Sequence, residues 1–453
     1  MTELSNQRLR VGRATRASQR AWAYLALAAV TLLNVISHAD VQRDAHTRLF
    51  GDALNYYRMS VQTGAPVENP FALRMLSPWL VHRAHLLTGM SFDALWLVLT
   101  VTTTFAAILV FFEFLWNHLR LQLFTAGLTA LALACTFWYA PYAFSDADLV
   151  DPLNNLIYVV ALWLAFRSRL IPFTIVVIIG AINKETALLL APLYPLLAWT
   201  RQRSLRDRRV LIALAATIVA IAAYAGYRFW AQHLIGGSYG FGTGQANTSL
   251  LDNIRFALAA GKNTTQLSLF VTFHFFWLVF AYGLYRLYRH QGLRSELLIA
   301  SLWLFGCCLA GRLLATDTDR VFIMMAPLVL AVTALILDQH RGEKPRLWVG
   351  LLVAGYVAIN LRWVPTPASL IVDALAGIGF ALLVQTGQLS TQHRPPKPED
   401  SRRNTGISAF ADTDIIPVIP ALAKPHTGGQ DAKVTLAITE GAQSEQIAQI
   451  PTV

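Results

Sequence analysis

Long apolar runs recur along this chain from Ala21 to Val384, and they constrain its fold more than any other feature of the sequence. Each run is about 20 residues long, which is the length that an α-helix needs to cross the hydrocarbon core of a bilayer. Only 14% of the residues are charged, whereas a typical soluble domain has about 25%. We therefore predict an all-α fold, a polytopic transmembrane helical bundle of about 12 helices.

Composition divides the chain into three predicted parts. Residues 1–20 precede the first apolar run and form a basic N-terminal segment with several arginines. Residues 21–384 form the transmembrane domain. Residues 385–453 are rich in Pro, Ser, Thr, Gln and charge, a composition that buries too little apolar surface to fold, so we predict a disordered tail.

The basic residues predict the orientation of the bundle. Arginine and lysine concentrate in short loops such as 201–209, RQRSLRDRR, and the positive-inside rule places such loops in the cytoplasm. Alternation of the helices then places both termini in the cytoplasm, in a multi-pass protein of a bacterial plasma (inner) membrane. The net charge of +11 is explained by orientation, and no basic patch interleaved with aromatic residues predicts a nucleic-acid partner.

Two segments depart from simple spanning helices. A long outer loop from about residue 38 to 91 contains an amphipathic stretch, 52–61, and the run 71–87, which we predict to lie as helices on the membrane surface. The apolar stretch 170–200 begins and ends beside cytoplasmic arginines, so it must form a hairpin of two short helices. Such short arms are tolerated when they are buried or line a cavity.

This topology gathers charged residues from distant segments at the extracytoplasmic face, where we expect chemistry or movement of a charged solute. The candidate site residues are Asp40, Asp44, Asp52, Tyr56, Tyr57 and Arg58 in the first part of the outer loop, Arg74 in the run 71–87 of the same loop, Asp146, Asp148 and Asp151 before a predicted helix at about 153–166, Lys184 and Glu185 at the hairpin tip, and Asp317, Asp319 and Arg320 before a predicted helix at about 321–337.

Arg74 is informative because it interrupts an apolar stretch, where a lipid-facing arginine costs about 2.5–3.5 kcal/mol. It should therefore contact a phosphate or a carboxylate, which match the guanidinium fork, and an ion pair with a loop aspartate is the alternative. Lys184 and Glu185 bind substrate or are the solvated end of a turn. Asp317 and Asp319 are expected to orient Arg320.

Asp146, Asp148 and Asp151 lie within six residues of one another. They suit sugar hydroxyl groups or a hard divalent cation such as Mg²⁺ or Mn²⁺, although nothing in the sequence requires a cofactor. Asp151 precedes Pro152, so capping of a helix is its alternative role.

Three motifs resemble those of the bacterial members of the GT-C superfamily, which are integral-membrane glycosyltransferases. They are DALNYYRMS from Asp52, PFALRMLSPWL from Pro70, and INKETALLLAPL from Ile182. The cytoplasmic N-terminus, the long first outer loop with an early aspartate and the short-armed hairpin are similar to that superfamily as well. The resemblance covers residues 21–384, which it identifies as the catalytic domain.

The resemblance implies transfer of a sugar from a polyprenyl-phosphate donor to a lipid or glycan acceptor, with membrane lipids as the other partners. It implies that an outer-loop carboxylate is the general base, Asp52 first and Asp44 or Asp40 otherwise, and that Arg74, Lys184 and Arg320 hold the phosphate. The acidic pair of the superfamily is often adjacent, whereas these three aspartates are spaced, which leaves the base open among them.

Two other functions fit parts of the sequence. A polysaccharide polymerase or ligase of another fold would also use a large outer loop with arginines. A transporter for a charged solute would place charges near the middle of long helices and would break matching helices in its two halves. Most charges here lie at helix ends, which favours an enzyme.

Overall fold

The computed structural model describes residues 2–39, 52–62, 67, 71–235, 270–312, 318–338, 343–361 and 366–385. All regular structure in these ranges is helical, as predicted, and no strand occurs in them. Residues 236–269, which include a Gly-rich stretch and a short amphipathic stretch at 250–260, lie outside the described residues, and so do residues 386–453 of the predicted tail.

Sixteen α-helices have both of their ends in the described ranges, together with short 3₁₀ and π segments. The helices are α1 (Thr2–His38), α2 (Asp52–Val61), α3 (Leu76–Thr88), α4 (Phe92–Glu113), α5 (Leu123–Cys135), α6 (Pro141–Ser145), α7 (Asp151–Phe166), α8 (Leu170–Asn183), α9 (Leu193–Gln202), α10 (Arg208–Ile235), α11 (Phe276–Gln291), α12 (Glu296–Arg312), α13 (Thr318–Phe322), α14 (Ala326–Asp338), α15 (Glu343–Asn360) and α16 (Thr366–Gln385).

Fewer helices could cross a bilayer than the sequence predicts. By length and composition four segments qualify in the described ranges, namely Ala17–His38, Phe92–His118, Arg208–Ala231 and Arg320–Asp338, and a bent pair raises the number to five. Several other apolar helices have only 10–17 residues. A helix of 13 residues is about 20 Å long, short of the roughly 30 Å hydrocarbon core. The bundle of about 12 spanning helices is therefore not confirmed.

The spanning candidates differ in how much of their surface the protein itself covers. Arg320–Asp338 is 83% buried, so it lies in the centre of the bundle, whereas Ala17–His38 and Arg208–Ala231 are only 17% buried. On α10 the large apolar side chains Leu211, Ile218 and Phe229 are exposed. Apolar surface of this extent needs an apolar environment, which suits contact with lipid.

The predicted hairpin is present, and two sets of contacts locate its ends. Lys184, at the tip, forms an ion pair with Asp151 at the start of α7. Arg201, at the end of α9, donates hydrogen bonds to Ser168 Oγ and to the carbonyl oxygen of Ala165, both at the other end of α7. Because α7 is about 24 Å long, the chain runs the length of this helix and back between residues 170 and 201.

The apolar run 267–288, which is long enough to predict one spanning helix, is interrupted. Residues 270–273 are helical, and α11 begins only at Phe276. His274 lies between the two parts with φ of 52°, in the left-handed region that side chains rarely adopt. α11 and α12 meet at a bend of 110° instead of forming two antiparallel spans.

A buried carboxylate from another helix satisfies the backbone at this interruption. Asp373 of α16 is 4% exposed and accepts hydrogen bonds from the backbone N–H of Phe275, at 3.2 Å, and from His274 Nδ1, at 3.0 Å. The first N–H groups of a helix have no partner within it, so Asp373 acts as the cap of α11 from a distant part of the sequence.

We expect Asp373→Ala to lower the free energy of unfolding by about 2 kcal/mol, because it leaves a buried N–H and an imidazole without their acceptor. Thermal unfolding of the purified protein in detergent measures the change. Arg206→Ala, at an exposed position in the loop before α10, is the control and should leave the unfolding midpoint close to that of the wild type. Equal midpoints for Asp373→Ala and Arg206→Ala would contradict the capping role.

Candidate functional site

Six charged side chains meet at one end of the helical bundle, and we call them the charged cluster. They come from five separate segments of the chain, which confirms that distant charges are gathered at one place. The members are Asp52 at the start of α2, Arg74 just before α3, Asp151 at the start of α7, Lys184 and Glu185 at the hairpin tip, and Arg320 in α13.

A small apolar core fixes this end of the bundle. Tyr56 of α2 and Trp96 of α4 are fully buried in it and pack with Val81 of α3 and Val150 before α7. Trp96 Nε1 donates a hydrogen bond of 3.1 Å to Ser60 Oγ. The amphipathic helix α2 is thereby held against the bundle, with its first residue facing the charged cluster.

Arg320 joins two of the acidic segments. Its Nη1 donates to Asp52 Oδ2 at 2.7 Å, and its Nη2 donates to Asp151 Oδ2 at 2.6 Å. The other oxygen of Asp151, Oδ1, accepts from Lys184 Nζ. One arginine and one aspartate thus connect α2, α7, α13 and the hairpin tip.

Arg74 forms the second half of the charged cluster. Its Nε donates to Glu185 Oε2 at 3.0 Å and its Nη2 to Glu185 Oε1 at 2.5 Å, which is a bidentate pair. Its Nη1 donates to the hydroxyl of Tyr56 at 2.8 Å, and its guanidinium carbon lies 5.6 Å from the ring centre of Phe71. The expected carboxylate partner is present, but it is Glu185 and not an aspartate of the first loop.

Uncharged side chains hold the hairpin tip in place. Ser77 Oγ donates to Asn183 Oδ1 at 2.6 Å, and Asn183 Nδ2 donates to the carbonyl oxygen of Val150 at 2.9 Å. Tyr158 of α7 donates its hydroxyl to the carbonyl oxygen of Thr186 at 2.5 Å. Asn183, Ser77 and Tyr158 were not among the candidates, although an asparagine beside the charged pair in an apolar run was a signal for such a contact.

The charged cluster is electrically balanced, with three acids and three bases. Balance is required because an unpaired charge that is largely removed from water is costly. Burial alone would raise the pKa of Glu185, but the charge of Arg74 and its hydrogen bonds outweigh burial and lower the pKa to about 2. Glu185 therefore stays ionised across the physiological range, and the pair does not open by protonation.

The three carboxylates of the charged cluster differ in how their oxygens are used. Both oxygens of Asp151 accept from cations, and both oxygens of Glu185 accept from Arg74. Asp52 uses only Oδ2, and its side chain is 25% exposed, between the 15% of Asp151 and the 31% of Glu185. Among the described contacts, Asp52 is the acid that keeps an oxygen available to another molecule.

The remaining candidate site residues either flank members of the charged cluster in the sequence or lie outside the described residues. Tyr57 is half-buried beside Phe92 and Arg58 is exposed, while Asp148 is buried and Asp146 half-buried. Asp40, Asp44 and Asp317 lie outside the described residues, and only the backbone of Asp319 is described. Arg320 contacts Asp52 and Asp151, and the expected orientation of Arg320 by Asp317 and Asp319 falls outside the described side chains.

The donor set does not fit a divalent cation within the described ranges. No group of three or more His, Cys, Asp or Glu side chains there is placed to hold a metal ion. The oxygens of Asp151 and Glu185 are taken by ammonium and guanidinium groups, which compete with a metal for the same lone pairs.

Comparison with models of known protein families gives no match, and comparison with curated proteins gives none either. What the charged cluster does is therefore inferred from its own chemistry.

Proposed function

We propose that this protein is a membrane glycosyltransferase of the GT-C type, which moves a sugar from a polyprenyl-phosphate donor to a lipid or glycan acceptor at the extracytoplasmic face. The observation that carries the proposal is the charged cluster itself. It places a partly exposed carboxylate beside three cations at the end of an apolar helical bundle. Transfer from a lipid phosphate needs a base for the acceptor and cations for the leaving phosphate.

Asp52 is the general base in this proposal. Its carboxylate takes the proton of the acceptor hydroxyl while the acceptor oxygen forms a bond to the anomeric carbon of the donor sugar. The bond between that carbon and the phosphate oxygen breaks at the same time, and the electron pair leaves with the lipid phosphate. The available oxygen of Asp52 and its partial exposure support this role.

Arg74, Lys184 and Arg320 stabilise the negative charge that develops on the leaving phosphate. A guanidinium offers paired N–H donors that match phosphate oxygens, and an ammonium adds a compact charge. Each of these three cations forms an ion pair with a carboxylate in the structure. A bound phosphate would therefore share their N–H donors with Asp52, Asp151 and Glu185.

The polyprenyl chain of a donor needs an apolar surface beside the charged cluster, and the exposed apolar side chains of α3 offer such a surface. It follows Arg74 directly, and it exposes Trp79, Leu86 and Leu87. Exposed apolar side chains on a short helix are typical of a helix that lies in a membrane interface. The donor would lie in the bilayer beside this helix with its phosphate and sugar at the charged cluster.

The proposal requires the charged cluster to face the extracytoplasmic side, and two exposed positions test this. Met90, between α3 and α4, is 41% exposed at the end of α4 near the charged cluster, and Leu205 is 65% exposed in the basic loop after α9. The three native cysteines, Cys135, Cys307 and Cys308, are buried. Met90→Cys should react with a membrane-impermeant maleimide in intact cells, and Leu205→Cys only after permeabilisation. The reverse pattern would contradict the orientation.

A transporter for a charged solute and a polymerase or ligase of another fold remain the competing functions. Lipid extracts of cells with and without the protein separate them. Loss of the transferase should accumulate a polyprenyl-phosphate sugar and remove one glycolipid or glycan, detected by mass spectrometry. A polymerase would instead leave shortened glycans on pyrophosphate carriers, and a transporter would change neither pool. Either of those two results would count against the proposal.

A further inference from the structure

Asp151 differs from the other acids of the charged cluster because it contacts two cations at once. It is the first residue of α7 and is followed by Pro152, so the helix start fixes its backbone. Its Oδ1 accepts from Lys184 and its Oδ2 accepts from Arg320, and its side chain is only 15% exposed. Neither oxygen is left over for an acceptor hydroxyl, so Asp151 is unsuited to be the base.

The two cations would not lie together without an anion between them. Lys184 comes from the hairpin tip and Arg320 from α13, and like charges in a partly buried site repel each other. Asp52 contacts Arg320 but not Lys184, and Glu185 contacts Arg74. Asp151 is therefore the acid, among the described residues, that pairs with both.

We propose that Asp151 is a positioning residue that holds Lys184 and Arg320 side by side as a seat for one phosphate group. This inference rests on the proposed function, since Lys184 and Arg320 are two of the three cations that the proposed function places at the phosphate of the lipid donor. It separates the roles of two acids that the sequence could not distinguish. Asp52 reacts with the acceptor, and Asp151 never touches the substrate but sets the distance between the groups that do.

The framework around Asp151 does not depend on its charge. Asn183 Nδ2 donates to the carbonyl oxygen of Val150 and Tyr158 donates to that of Thr186, and neither hydrogen bond involves the carboxylate of Asp151. Asp151→Asn keeps the size of the side chain and can still accept one hydrogen bond. We therefore expect this variant to fold, with the hairpin tip in place and the two cations no longer held together.

The test uses the purified full-length protein in nanodiscs and measures binding of farnesyl phosphate, a short isoprenyl monophosphate. Removal of a negative charge near an anion site would by itself tighten binding of the phosphate. If Asp151 positions the two cations, Asp151→Asn should instead weaken binding by roughly tenfold. The opposite signs separate positioning from a simple charge effect.

A double-mutant cycle identifies the partner through which Asp151 acts. Asp151→Asn should weaken binding much less in a Lys184→Met background than in the wild type, because one of its two cations is already gone. The inference would be overturned if Asp151→Asn weakened farnesyl phosphate binding by the same factor in both backgrounds, or if it tightened binding. Glu296→Gln is the matched control, since it removes an ion pair with Arg201 at the other end of α7 and should leave binding unchanged.

Failure of this inference is distinguishable from failure of the proposed function. A wild type that binds farnesyl phosphate and transfers sugar, beside an Asp151→Asn protein with unchanged binding, overturns only the positioning role. A wild-type protein that neither binds farnesyl phosphate nor transfers sugar overturns the positioning role and the proposed function together. Thermal unfolding of each variant shows whether a loss of binding reflects a loss of folded protein.

Discussion

Asp52→Asn is expected to reduce sugar transfer by roughly 10²–10⁴-fold, the contribution that a general base makes. The amide has the size of the carboxylate and its oxygen can still accept from Arg320 Nη1, so the ion-paired geometry changes little. What it loses is the ability to take a proton from the acceptor hydroxyl. The measurement is the rate of transfer at saturating donor, on protein whose unfolding midpoint matches that of the wild type.

Two further variants make this result specific to Asp52. Asp207→Asn carries the same substitution in the loop before α10, far from the charged cluster, and should transfer at the wild-type rate. Asp40→Asn and Asp44→Asn test the other aspartates of the first loop. Near-normal transfer by Asp52→Asn, with loss in either of those two, would move the base to another carboxylate.

Arg74→Lys is expected to raise the donor KM by about tenfold or more and to change kcat less. An ammonium keeps the charge but loses the two parallel N–H donors that pair with a carboxylate or a phosphate. Arg74→Ala should weaken donor use further, and it should lower the free energy of unfolding by about 3–5 kcal/mol because Glu185 is left without its partner. Donor titration and thermal unfolding on the same preparations measure the two effects.

The chain offers a close control for Arg74. Arg201 makes the same bidentate contact with Glu296, through Nε at 2.7 Å and Nη2 at 2.5 Å, at the opposite end of the bundle. Arg201→Lys should lower the unfolding midpoint by an amount similar to that of Arg74→Lys and leave the donor KM unchanged. If both variants lose stability and neither changes the donor KM, Arg74 is a structural residue and does not hold the phosphate.

Local patterns in the sequence predicted the elements that build the charged cluster. The amphipathic stretch 52–61 is α2 with the same bounds, and the short-armed hairpin has Lys184 and Glu185 at its tip. Both follow from simple physics, since the period of apolar residues indicates a helix and the distribution of arginine indicates which ends lie together. The sequence also predicted that Asp52, Arg74, Asp151 and Arg320 lie close together, and the ion pairs of the structure join Asp52 and Asp151 through Arg320.

The lengths of the helices and the contacts between residues far apart in the chain could not be predicted from the sequence. Apolar runs predicted full spans, but a run such as 121–140 contains only the 13 residues of α5 as regular helix, followed by turns and the short α6. The interruption at His274 depends on Asp373, which is 99 residues away. The contact of Arg320 with Asp52, which lies 268 residues away, was not predicted. Such contacts are decided by packing, which a local pattern does not encode.

Release of free polyprenyl phosphate from a set of polyprenyl-phosphate sugars tests the central claim most directly, because every transfer frees this product whatever the acceptor is. The purified protein is reconstituted in liposomes with membrane lipid extract as acceptor, and the product is measured by mass spectrometry. We expect the wild type to release polyprenyl phosphate from at least one donor and Asp52→Asn to release none above background. Equal release by the two proteins, or no release by a folded wild type from any donor in the set, would contradict a glycosyltransferase site built around Asp52.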